Sequence, residues 1–169
     1  MREHSRHSSY REALLEHLFI GEMLKHLWRR AVYRVELLKP QVDSAGYDLV
    51  ITCGSVTRHI QMKASARGGK TAVQKVHTAL SAKEGGCVVW VQFDPDTLAI
   101  GPFLYFGGKA NEHLPSLKGF KVARHTKANA QGVKAERPEV RVIPRSRFIV
   151  LESIEELAEV LFGRLQLEA

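Results

Sequence analysis

The sequence predicts one mixed α/β domain, a central mixed β-sheet flanked by helices. Three observations predict it. An amphipathic helix opens the chain, alternating strand-like segments follow between residues 32 and 64, and CVVWVQF (87–93) is an almost continuous apolar run. Such a run is typical of a strand whose sheet is covered on both faces. The expected order is α-β-β-β-α-β over a core at 10–93, within a single domain spanning 1–169. A basic C-terminal extension at 107–147 and a terminal helix at 153–163 complete it.

Residues 10–30 read as the first helix because Leu14, Leu18, Gly21, Leu24 (or Lys25) and Trp28 recur at spacings of three and four. Ser8 or Ser9 is the expected cap, with Glu12 placed for a capping box after Ser9. VYRVELL (32–38) alternates and is rich in β-formers, and Pro40 ends it. GYDLVIT (46–52) and TRHIQMKA (57–64) are two alternating strands around CGSV, closing on Gly54 and Ser55. TAVQKVHTALSA (71–82) reads as a second helix, closed by Gly85 and Gly86. TLAIGPFLYFG (97–107) reads as a strand broken near Gly101-Pro102, and SRFIVL (146–151) as a late strand. Ser153 is the expected cap of the last helix, with Glu155 and Glu156 in the first turn, where the dipole favours acids.

The 169 residues are 44% hydrophobic and 25% charged, which excludes disorder or a fibre as the main state. No apolar run approaches the length of a transmembrane helix, so no membrane partner is expected. The N-terminus, MREHSRHSSYREALLEH, lacks the apolar core of a signal peptide. Cys53 and Cys87 sit in apolar stretches without C-x-x-C spacing, which argues against a disulfide scaffold or zinc ribbon and points to a reducing cytoplasm. The net charge of +7 is local: residues 107–147 hold ten bases and three acids, and the rest of the chain balances. Such a segment suits a polyanionic partner, because neutralising phosphates releases condensed counterions. A solvated surface segment carries the same charge equally well.

Asp48, Gln61 and Lys63 are the informative residues. Alternation puts Tyr47, Leu49 and Ile51 on one face and Asp48 on the other; likewise Ile60 and Met62 oppose His59, Gln61 and Lys63. A hairpin closed by Gly54 and Ser55 sets Asp48 directly across from Gln61, and Lys63 opposite Gly46, where no side chain blocks it. A carboxylate, a carboxamide and an ammonium then converge. Mg²⁺ takes hard oxygen ligands, usually one or two from protein with waters and phosphate. A neighbouring lysine can orient water and stabilise charge on the phosphate. An exposed Asp48–Lys63 ion pair is the plainer alternative, worth about 0–1 kcal/mol.

GYDLVI…RHIQMKAS, preceded by a helix carrying GEMLKHLW, resembles the PD-(D/E)XK nuclease superfamily, whose restriction-endonuclease-like core is similar to the order read above. The resemblance covers residues 12–93 and implies a Mg²⁺- or Mn²⁺-dependent endonuclease. By it, Asp48 matches the metal-binding aspartate, Gln61 stands where the second acid usually stands, and Lys63 matches the lysine. Glu22 matches a first-helix glutamate, and the backbone carbonyl of Met62 corresponds to a further metal ligand. Q-x-K in place of E-x-K removes one negative charge from the site.

Glu22 can instead pair with Lys25 or His26 at the helix surface. Gln74 and His77 are expected on one face of the second helix, and His59 beside Gln61. Arg67, Lys70 and Lys75 around Gly68-Gly69, together with Arg124, Lys127, Lys134 and Arg137, are the candidate phosphate contacts. His113 and His125 lack the partners of a zinc site, and no P-loop or G-x-S-x-G motif is present. The reading is thus a metal-dependent endonuclease acting on DNA. A catalytically impaired nucleic-acid-binding protein of the same fold, or a scaffold for an acidic protein, are the alternatives. The apolar face of the last helix (Ile154, Leu157, Ala158, Leu161) makes a homodimer an expectation as well.

Overall fold

The computed structural model describes residues 7–42, 45–125, 132 and 134–164. It is a mixed α/β fold built on two sheets. Helix α1 (Ser8–Arg29) leads into β1 (Val35–Leu38), β2 (Leu49–Cys53) and β3 (Val56–Ala66), an antiparallel meander. Strand β4 (Val73–His77) and a 3-10 helix (Thr78–Ala82) follow, then β5 (Gly86–Phe93) and β6 (Ile100–Gly107). Strands β7 (Lys121–Arg124), β8 (Glu136–Pro144) and β9 (Ile149–Leu151) precede helix α2 (Ile154–Phe162). The large sheet has the order β1-β2-β3-β5-β6-β9, with β3 and β5 parallel and every other pair antiparallel. The small sheet, β4-β8-β7, is antiparallel throughout.

The two faces of the large sheet are covered differently. On one, Phe19, Met23 and Leu27 of α1 and Leu157, Ala158 and Leu161 of α2 pack on Leu49, Ile51, Ile60, Val89 and Val91. On the other, Val76, Leu80, Ile143 and Phe148 pack on Val88, Trp90, Leu104 and Phe106, so the small sheet lies where a helix was expected. Residues 71–82 are therefore a strand and a 3-10 turn. Val73 and Val76 are β-branched and find a partner in β8, which outweighs the helix-like spacing of Val73, Val76 and Leu80. Nor do residues 107–147 form an appended extension: β7 and β8 arise from them, and Ala123, Val140 and Ile143 are buried.

Helix α1 buries Leu15, Phe19, Met23 and Leu27, a stripe one position from the one expected; Leu24 and Trp28 are exposed. Apolar pairs at 14–15, 18–19, 23–24 and 27–28 allow either stripe, and the one containing Phe19 and Met23 fills the core. Its N-cap is His7, with no side-chain cap, so neither serine serves. The C-terminal end is a Schellman turn: Val32 N–H donates to Leu27 O (3.0 Å) and Ala31 N–H to Trp28 O (3.0 Å), with Ala31 left-handed at φ 56°. Ser153 caps α2 as expected, accepting from Glu156 N–H (3.1 Å). The apolar face of α2, read as a dimer surface, is spent on the protein's own core.

Arg58 of β3 is wholly buried and turns toward α2. Its Nε donates to Leu161 O (2.6 Å), and Nη2 donates to Val160 O (3.0 Å) and Gly108 O (3.3 Å). The helix C-terminus, with its partial negative charge, takes the place of a carboxylate partner. Cys53 and Cys87 are buried thiols that are not joined in a disulfide. Among the described residues no helix is long and apolar enough to cross a membrane.

Candidate active site

The β2–β3 hairpin positions the site. Leu49 pairs with Ile60 and Cys53 with Val56, the register expected from a turn at Gly54-Ser55. Gly54 sits at φ 59°, the left-handed region that the first position of such a turn favours. β2 begins only at Leu49, while β3 runs on to Ala66. From Met62 onward β3 is therefore paired on one side alone, with β5. His59 N–H donates to Gly85 O on the β5 side, so alternation turns the peptide groups of Ile60 and Met62 the other way, toward β2.

Asp48 sits where β2 ends. Its own N–H donates to Ile60 O (2.9 Å), and its Oδ2 accepts from Met62 N–H (2.7 Å). The carboxylate is thus fixed against the open edge of β3. It lines a cleft of 520 Å³ with Lys63, Met62, Ala64, Gln74 of β4, and Arg11, Glu12, Glu16 and Lys39. Three carboxylates face three cations there, a balanced set. Glu16 is ion-paired with Lys39 across the cleft wall. Gly46 does not lie opposite Lys63 in a strand. It is a left-handed residue (φ 75°) whose missing Cβ makes room for His77, since a Cβ there would lie 2.7 Å from that of His77.

Gln61 is buried (8% exposed) and does not line the cleft; its Oε1 has no hydrogen-bond partner. Four residues on, Ser65 Oγ accepts from Trp90 Nε1 (2.8 Å) and Gln92 Nε2 (3.0 Å), and the Arg145 guanidinium covers the Trp90 ring at 5.1 Å. Tyr47 does not follow Leu49 and Ile51 but stacks edge-on against His59 (4.9 Å). His59 Nδ1 is bonded to Glu84 O (3.0 Å).

Glu22 is not brought to this cleft. It is ion-paired with exposed Lys25 (2.6 Å) and borders a separate hollow with Leu98, Phe103 and Glu152. The carboxylates that α1 does bring, Glu12 and Glu16, were missed, because their one-turn spacing points to the cleft only once the buried stripe is placed at Leu15 and Phe19. Gln74 reaches the cleft from a strand, whereas His77 Nδ1 caps the following 3-10 turn, accepting from Ala79 N–H (3.1 Å).

Of the candidate phosphate contacts, Arg67 is structural: its guanidinium donates to Gly101 O and Ala99 O across the bend of β6. Lys75 Nζ donates to Arg124 O (3.4 Å), and Arg124 and Arg137 face Glu136 and Glu139 at 3.4 Å. Lys70 and Lys134 are exposed, and Lys127 lies outside the described residues. Elsewhere, burial pushes the Cys87 thiol up to about 12, and burial also raises Tyr105. Backbone N–H groups of Thr97 and Asp96 hold Asp94 below the usual carboxylate range.

Among the described residues no group of three or more His, Cys, Asp or Glu converges as a metal cage. No protein-family model matches the chain, and no curated protein matches it.

Proposed function

We propose that this chain is a metal-dependent endonuclease of PD-(D/E)XK type, on a restriction-endonuclease-like core, that hydrolyses phosphodiester bonds in DNA. One observation carries the reading: the Asp48 carboxylate, fixed by Met62 N–H, stands over the unpaired edge of β3 in the same cleft as Lys63. Two features fit a divalent cation. The nearby donors are hard oxygens, and the buried Gln61 Oε1 lacks a partner. Mg²⁺ or Mn²⁺ would be held by Asp48 and the Met62 carbonyl, with water and substrate phosphate completing the shell; Gln61, buried outside the cleft, would join them only by turning its amide toward Asp48.

When bound, the ion supplies Lewis-acid stabilisation of the phosphate. The Lys63 ammonium orients the attacking water and offsets negative charge growing on phosphate oxygens. Gln74 offers an amide to the same phosphate from the opposite wall. Lys70, Lys75, Arg124, Lys134 and Arg137 contact the DNA backbone outside the cleft. Because the cleft charges balance, the phosphates themselves supply the extra negative charge that attracts the ion.

The neutral Gln61, with no three-ligand cage among the described residues, favours a second reading, a DNA-binding protein of the same fold with impaired chemistry. Plasmid and branched-DNA cleavage with Mg²⁺ or Mn²⁺ separates the two. Cleavage by the wild type, reduced about 100-fold or more by Asp48→Ala and Lys63→Ala, supports the nuclease. Binding without cleavage supports the second reading. Cleavage that persists in both variants overturns the assignment.

A further inference from the structure

A second surface lies at the far end of α1. Trp28 is 70% exposed and Tyr33 64% exposed, an unusual fate for large aromatic rings. They are held as a pair, edge to face, with centroids 5.0 Å apart and planes at 68°. The Schellman turn makes the pair. Left-handed Ala31 reverses the chain and buries Val32 against Leu27, and this returns Tyr33 beside Trp28. The rings are thus oriented before any ligand arrives.

The charge along this stretch of sequence has one sign. Between Glu22 and Glu36 the sequence carries Lys25, Arg29, Arg30 and Arg34 with no acid. Arg29, Arg30 and Arg34 are exposed, and Lys25 pairs with Glu22. The helix dipole accounts for His26 and Arg29 in the last turn, but Arg30 and Arg34 lie beyond it. Flat aromatic rings with arginines beside them in the sequence match a chain of unpaired bases on a phosphate backbone. Each base offers a π-face to a ring, and each phosphate offers an anion to an arginine.

We propose that Trp28 and Tyr33 form a stacking platform for single-stranded nucleic acid, with Arg29, Arg30 and Arg34 on its phosphates. The platform lies about 18 Å along the helix axis from Glu16 in the cleft, given the helical rise per residue. It requires no metal and no cleavage.

The test uses the full chain carrying Asp48→Ala, in EDTA, so that a failed nuclease assignment leaves it intact. The chain has two tryptophans, and Trp90 is fully buried, so accessible emission comes from Trp28. Oligothymidylate is expected to quench that emission, and a duplex of the same length to quench it far less. Trp28→Ala and Tyr33→Ala are expected to weaken oligothymidylate binding, read by anisotropy of a labelled strand, roughly tenfold or more each, while Trp28→Phe retains most of it. Circular dichroism checks that each variant is folded. Unchanged affinity in folded Trp28→Ala, equal quenching by duplex, or quenching by phosphatidylserine vesicles but not by oligothymidylate would each overturn the proposal, the last in favour of a membrane surface.

Discussion

The two faces of the large sheet use the same strands but are closed by different means. One carries α1 and α2, segments whose apolar residues recur within each helix and whose cover is largely local in sequence. The other carries β4, β8 and β7, where β4 becomes part of the cover only by pairing with β8, the partnered residues Val73 and Pro144 lying far apart in the chain. A helix satisfies its own backbone, while a strand acquires a partner from elsewhere, so the second face depends on long-range contacts that no local window contains. The candidate site lies where the two kinds of cover meet, with α1 on one wall and Gln74 of β4 on the other.

Substitutions can break this comparison. The largest effects are expected in the two cores. Phe19→Ala should cost about 3–5 kcal/mol and Ile143→Ala about 2–5 kcal/mol in urea unfolding, because both side chains are fully buried. A cost below about 1 kcal/mol for Ile143→Ala would mark the small sheet as an annex with little part in global stability. Next is Arg58→Met, which leaves the Val160 and Leu161 carbonyls without their donor in a buried setting. A loss of about 3 kcal/mol is expected, with hydrogen exchange accelerated in α2 before it is in β8.

Alkali sharpens the contrast. Cys87 and Tyr105 both lie on the helix-covered face, and both are raised by burial. Between the ordinary thiol value of 9.0 and about 12, the unfolded chain loses the Cys87 proton while the folded chain keeps it. The folded state therefore loses stability as pH rises through that window, and below it the contribution is fully present. The melting temperature should fall from pH 9 upward, and Cys87→Ala should flatten part of the fall, with Tyr105 accounting for a further part. The smallest effect is expected at Ala31→Gly, where relief of the left-handed alanine exceeds the added chain entropy by a few tenths to about 1 kcal/mol. A shift of the urea midpoint to higher concentration checks it.

What could be read from the sequence follows the same division. The β2–β3 register was legible to the residue from Leu49–Ile60 to Cys53–Val56, since the Gly54-Ser55 turn fixes it; before Leu49 the strand ends, and neither Gly46 nor Tyr47 keeps the expected place. The cap at Ser153 was legible because its chemistry is complete within four residues. Residues 71–82 were misread because Val76 and Leu80 are buried in either conformation, and only β8 decides between them. The walls of the cleft were also hidden. Glu12 and Glu16 meet Asp48 only through the rotation of α1, which doubled apolar positions leave ambiguous, and Lys39 arrives from the residue after β1.

Arg58 sets an order on biosynthesis. Its guanidinium is buried in the fold, yet two of the three carbonyls that solvate it belong to residues 160 and 161. A nascent chain that has emerged only as far as β9 has every strand of the large sheet, but its buried cation then keeps only the Gly108 carbonyl. The sheet cannot close dry until the last helix leaves the ribosome. A stalled chain lacking that helix should therefore remain accessible to proteases and chaperones, whatever strands it has already paired.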